Sequence, residues 1–231
     1  MTTKNLYKKD AKIDNKITLK ILKYFCMDFS ATDTSKLLKI RRSTINSRYN
    51  YFRQVIFEYE TSIENEVMNW IIELDESYFW PKRVRWKRWR WAWWKIKVFG
   101  LLKRHWRVYT HIVDDVTANT LLPIIRWKIG LESAINTDWR HSYDWLVDLW
   151  YQKHYRVNHW ENEFARGKQH INWIESFRWF CKRRFVKFNW INKEKFALHL
   201  KECEFRFNCW LWKEDMYAKC KKILKQYVKN F

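Results

Sequence analysis

Glycine is nearly missing: the chain of 231 residues holds 3, where ordinary usage would give roughly 16. Proline is scarcer still, at 2. So little of either excludes a collagen-like or low-complexity chain. It also leaves open how the chain turns, because turns at positive φ ask for glycine. The five cysteines, Cys26, Cys181, Cys203, Cys209 and Cys220, are odd in number and form no C-x-x-C pair. That argues against a disulfide framework or a zinc site and for reduced thiols in a cytosolic protein. No apolar run is long enough to span a bilayer, and Met1–Asp10 has no apolar core of a secretory signal. Acidic residues are outnumbered by basic ones, 25 to 46, for a net charge of +21. An excess of this size, spread along the chain, points to a polyanionic partner: nucleic acid or an anionic membrane surface.

Tryptophan is what the chain has instead, 18 in all. Asn69-Trp70, Asp138-Trp139, Asp144-Trp145, Asn172-Trp173 and Asn189-Trp190 stand where turns would carry Asn-Gly or Asp-Gly. Trp106 falls at an expected hairpin tip and Trp150 at an expected helix end. The pattern fits a UGA codon rendered as tryptophan where the native code reads glycine.

The length suits one large domain, or a small domain with a larger one. Over residues 1–62, Ile17–Met27 and Thr32–Ile40 have helical spacing, and Arg41–Arg48 leads into a long helical pattern to Tyr59. A tight middle connection and a basic start to the third helix suit an all-α helix-turn-helix domain. Leu37, Leu38, Ile45 and Tyr49 are then expected inside, with Arg41, Arg42, Ser43, Thr44, Asn46 and Arg48 facing DNA. A plain helical bundle with a solvated basic face fits the same pattern.

Residues 63–231 read as a second domain. Strands are expected at 71–79, 96–102, 107–113, 133–138 and 154–158. Helices are expected at 117–129, 142–149, from Asn172 onward and at 193–207, with a basic tail after them. Pro123 is tolerable in the first of these helices only near its start. Three strands, helix, strand, helix, strand and more helix make an α/β domain with a mixed sheet. The first strand is interrupted by carboxylates, and a charge on a core element is costly unless paired or holding a metal, which makes Asp75 the first candidate. Asp138 ends the fourth strand, and Glu175 lies in the first turns of the late helix. Three acids from three elements suit Mg²⁺ (or Mn²⁺), with two ions supporting phosphoryl transfer. Many other carboxylates are present, so spacing alone leaves this open. Between 82 and 97 lie eight Lys or Arg, and five tryptophans fall between 86 and 94. That tract suits a phosphate-gripping loop, a basic Trp-rich membrane-surface binder or a catalytically inactive nucleic-acid binder that stacks bases.

The motifs Glu73–Phe79, Val98–Leu102, Thr120–Ile125, Thr137-Asp138 with Tyr143-Asp144, Val157–His159 with Glu161–Phe164, and His170–Glu175 occur in order. Together they resemble the bacterial insertion-sequence transposases of the ISXO-like group, over roughly residues 70–208. The resemblance implies an RNase H-like mixed-sheet catalytic domain with a DDE site, Asp75, Asp138 and Glu175 binding the metal and Lys182 reaching a DNA phosphate. DNA contacts are expected from Lys82, Arg83, Arg85, Lys87, Arg88, Arg90, Lys95, Lys182, Arg183 and Arg184. The partners implied are terminal inverted repeats and target DNA, bound by a homo-oligomer, with no membrane involved. The family's glycines fall where Trp139, Trp145 and Trp173 stand. Arg178 departs from the pattern, at a position where an aromatic residue is expected.

Overall fold

A computed structural model describes residues 7, 13–63, 67–79, 95–138, 153–157, 170–188 and 191–230. The chain forms two compact units, 1–62 with 213–231, and 63–212. Among the described residues no helix is long and apolar enough to cross a membrane.

In the first unit, α1 (Asn15–Cys26) begins at Asp14, whose side chain accepts from the Lys16 N–H, and buries Thr18, Ile21, Leu22 and Phe25. This i, i+3, i+4, i+7 spacing is one helical face. Helix α2 (Ala31–Leu38) is capped by Ser30 and closes on Lys39 in the left-handed region, φ 54°. Helix α3 (Arg42–Ser62) follows after a short turn. The Tyr49 hydroxyl and Thr34 Oγ1, 2.7 Å apart, tie α2 to α3, while Phe25 meets Tyr49 and Phe52 edge to face.

Three expectations need correction here. Leu37 is 54% exposed rather than inside. Arg48, expected to face DNA, is 4% exposed and packs on the same side of α3 as Ile45, Tyr49 and Phe52. It falls about one turn after the core position Ile45 and next to the core position Tyr49, so the helix carries it to the buried face. The expected basic tail is instead a helix, α7 (Met216–Asn230), and it packs with α1 and α3. Cys220, Ile223 and Leu224 are its buried stripe, and the Tyr227 hydroxyl donates to Glu58 at 3.1 Å.

The second unit is a five-stranded sheet in the order β3-β2-β1-β4-β5. Strands β1 (Ile71–Phe79), β2 (Ile96–Lys103) and β3 (Arg107–Val113) pair antiparallel. Strands β4 (Ala134–Asp138) and β5 (Lys153–Val157) run parallel to β1. Alternation assigns the two faces. Ile72, Leu74, Phe99, Leu101 and Ile135 pack with Leu121 and Ile125 of α4 (Ala118–Lys128). Val98, Leu102 and Val108 pack with Ile174, Phe177 and Cys181 of α5 (Asn172–Val186) and with Phe196, Leu200 and Cys203 of α6 (Lys193–Leu211). The result is a helix–sheet–helix sandwich.

Pro123 lies in the middle of α4, not at its start. It lacks the N–H that would reach Asn119, but both residues are exposed, so water can satisfy the freed carbonyl. Helix α6 also runs past its expected end, and its side chains cover the edge strand. Asn208 accepts from the Val108 N–H at 2.8 Å and donates back to its carbonyl at 3.1 Å. One turn earlier, Glu204 accepts from the Thr110 N–H at 2.9 Å. Edge groups that could pair with another chain are thereby occupied. The expected helix at 142–149 lies outside the described residues.

Candidate functional site

Strand β1 turns Glu73 and Asp75 to the α5 face, because residues two apart share a side of the sheet. Glu73 is fully buried. Its Oε2 accepts from the backbone N–H groups of Trp173 and Ile174, each at 3.0 Å. Helix α5 has no side-chain cap of its own at Ile171, so a carboxylate from the neighbouring strand does the capping. The other oxygen takes the Arg104 Nε–H at 2.6 Å and lies 3.4 Å from His170 Nδ1. Arg104 also donates to the His170 carbonyl. Burial pushes the Glu73 carboxyl up, and the Ile174 N–H, Arg104 and the Trp173 N–H pull it back. Burial, then Arg104, hold His170 below its ordinary value.

With its first turn fixed in this way, α5 carries Glu175, Arg178 and Lys182 past Asp75. Gly100 sits opposite Asp75 in the β1–β2 register. A Cβ there would come within 3.0 Å of Ile174 Cδ1, so glycine lets the helix lie close at this point. Asp75 is 6% exposed. Arg178 Nη1 lies 3.0 Å from Asp75 Oδ2 and its Nη2 lies 3.3 Å from Glu175 Oε1. Burial and the nearby Arg178 lower the Lys182 ammonium, and Asp75 raises it again. Two of the three expected acids and the expected lysine therefore share one neighbourhood.

The third acid is known only through its strand: Glu73 is registered with Asn136 across the parallel β1–β4 pair, and Asp138 ends β4 two residues further on. Its side chain lies outside the described residues. Among the described residues no three acidic, histidine or cysteine side chains converge as a metal cluster. The donors that do converge are hard oxygens, and a guanidinium stands in between Asp75 and Glu175 as their cation. That donor set fits magnesium or manganese.

Other expected DNA contacts divide sharply. Arg41, Arg42, Ser43 and Asn46 are exposed and Thr44 is half-buried on the first unit. Arg183 is exposed. Arg184 is corrected: it is 4% exposed and its Nη2 bonds Glu202 Oε1 of α6 at 2.5 Å. Within the basic run Lys182–Arg184, one residue must face the α5–α6 seam, and it is Arg184. Lys95 is half-buried, with its Nζ 5.9 Å from the Tyr78 ring. Lys82, Arg83, Arg85, Lys87, Arg88 and Arg90 lie outside the described residues. Sequence reading missed Glu73 as the helix anchor and Arg178 as the bridge. The only available signals were a carboxylate on a core strand and a basic residue at an aromatic position.

Residues 68–208 match the family of ISXO2-like transposase domains. A relative from Haemophilus influenzae, described as an uncharacterized transposase-like protein, is 45% identical over 124 residues, covering 54% of this chain and 95% of the relative. The matched family segment includes Asp75, Asp138, Glu175 and Lys182.

Proposed function

This chain belongs to the ISXO2-like transposase family, and from that premise we propose that it is an insertion-sequence DNA transposase of the DDE type. It cleaves transposon ends hydrolytically and joins the freed 3′-hydroxyl to target DNA, acting as a homo-oligomer on DNA. The observation that carries this is the approach of Glu175 on α5 to Asp75 on β1, close enough for one guanidinium to touch both. A supporting observation is that Asp138 ends the strand paired in parallel with β1, two residues beyond the Glu73–Asn136 pair. The strand order, three antiparallel strands followed by two parallel ones, supports an RNase H-like reading.

Asp75, Asp138 and Glu175 would hold two divalent ions. Such ions, when bound, polarise a phosphate and stabilise charge on attacking and leaving oxygens. Lys182 grips a phosphate of the DNA backbone beside them, and Glu73 fixes the helix that presents Glu175. In the first unit, the exposed polar start of α3 after the α2 turn supports a helix-turn-helix that reads the transposon ends. The test is cleavage and binding of a duplex carrying those ends. Asp75→Asn, Asp138→Asn and Glu175→Gln should each abolish cleavage and preserve binding. Near-normal cleavage by any one removes that residue from the site.

The codon reading has its own support. Trp70 is 77% exposed at φ 100°, a backbone conformation suited to glycine and strained for an indole-bearing residue. Trp106, Trp127, Trp179 and Trp210 are exposed as well, although tryptophan is highly buried on average. A UGA codon at position 70 and glycine in the native peptide mass are expected. A tryptophan mass at that position would refute the reading.

A further inference from the structure

The acidic pocket already contains a cation from its own chain. Arg178 follows Glu175 by three residues on α5, and an i, i+3 pair of this kind on a helix surface is ordinary. Its second arm is not ordinary. Nη1 crosses from α5 to the core strand and lies 3.0 Å from Asp75 Oδ2, where the aspartate side chain is 7% exposed and the arginine 24%. One planar fork thus spans two carboxylates from different elements, the two proposed as metal ligands. A guanidinium is suited to this because it is always charged and presents its donors in a fixed plane. It also sits at the end of a long side chain, so it can leave without moving the backbone. Lys182, one turn further along, is lowered by burial and then by Arg178.

We propose that Arg178 is the resident counter-ion of this pocket, holding Asp75 and Glu175 together until a divalent cation displaces it. The proposal rests on the metal-binding role proposed above for these acids. A guanidinium and a divalent ion cannot occupy the same space between two carboxylates, so the arginine competes with the metal. Each must weaken the other's hold by the same factor. The displaced guanidinium then has DNA phosphate as its natural next partner.

The test compares the full chain with Arg178→Gln and Arg178→Phe by direct Mn²⁺ titration without DNA and by thermal melting with and without Mn²⁺. Removing the internal competitor should tighten Mn²⁺ binding about tenfold, equivalent to about 1.4 kcal/mol. Both variants should melt lower than the wild type without metal, and Mn²⁺ should raise their Tm by more than it raises the wild type's. A variant that is unfolded alone and folds with Mn²⁺ supports the same conclusion. Wild-type binding that is equal to or tighter than that of both variants overturns the counter-ion role and leaves the metal site standing. The counter-ion role is equally overturned if both variants stay unfolded in Mn²⁺. Binding absent from all three proteins, or left intact by Asp75→Asn, removes the metal site and the counter-ion with it.

Discussion

Replacing Glu73 with glutamine sets two forces against each other. The carboxyl is fully buried, and burial raises its pKa above the ordinary value. An acid raised in the folded state contributes stability below its unfolded pKa and loses it as pH rises through the folded one. On that count alone a neutral amide would be as stable at pH 7 as the carboxylate, or more so. The donors say otherwise. Trp173 N–H, Ile174 N–H and Arg104 Nε–H all point at this side chain, and glutamine has one acceptor oxygen. If that oxygen keeps the helix N–H groups, its NH₂ meets Arg104, whose side chain is 8% exposed. If it keeps Arg104, the helix loses its cap. Breaking one side of a buried ion pair costs about 3–5 kcal/mol. We take about 3 kcal/mol as the expected loss, because the amide retains some of the bonds. For a unit of this size, that lowers Tm by about 6–12 °C. Calorimetry on Glu73→Gln, Arg104→Met and the double variant measures it, and the double variant should recover more than half the loss. A glutamine variant as stable as the wild type would show that desolvation outweighs the donors.

Four further outcomes follow from the described contacts. Asp115 accepts from the Thr117 and Thr120 hydroxyls and the Thr117 N–H, which draw its pKa from 3.8 down to about 2. Its contribution is therefore present above pH 3.8 and lost as pH falls through about 2, and Asp115→Asn should flatten the urea-midpoint profile in that window. An unchanged slope would count against the stabilising role of these hydrogen bonds. Arg184→Gln should leave Glu202 with Arg206 at 2.9 Å and cost about 2 kcal/mol of stability, without altering the salt dependence of DNA binding. Lys182→Ala should instead reduce the slope of log K against log salt by about 1. Arg48→Met should leave DNA affinity unchanged; weaker binding at constant stability would return Arg48 to the DNA surface.

Local pattern was a good guide where a segment's burial follows from its own residues. Ile72 and Leu74 against Glu73 and Asp75 mark two faces of a strand, and the run Ile174, Phe177, Cys181 marks the inner stripe of α5. Both elements form as their spacing predicts. Pattern failed where a partner far along the chain decides. Arg48 and Arg184 sit in basic runs that read as solvated. Arg184 is buried because Glu202, 18 residues on, receives it. The C-terminal segment reads as a basic tail, yet its Cys220, Ile223 and Leu224 are buried on α7. The spacing of these residues is helical, and their mates are at the other end of the chain.

Glu73 and Asp75 bring the difference to a point. They are two residues apart on one strand, share a face and carry the same charge, so sequence alone gives them one description: an expensive acid in a core. What separates them is the kind of donor each meets. Glu73 is bonded by backbone N–H groups, which cannot move away without unwinding α5, and by Arg104, which is itself bonded to the His170 carbonyl. Its ligands are permanent, and its work is to position a helix. Asp75 meets Arg178, a side-chain cation shared with Glu175. A flexible side chain can be exchanged for another cation at modest cost, whereas a helix terminus cannot. Fixed backbone donors therefore make Glu73 a positioning acid, whereas the ion pair of Asp75 with Arg178 is one that another cation can replace, as the proposed metal-binding role requires.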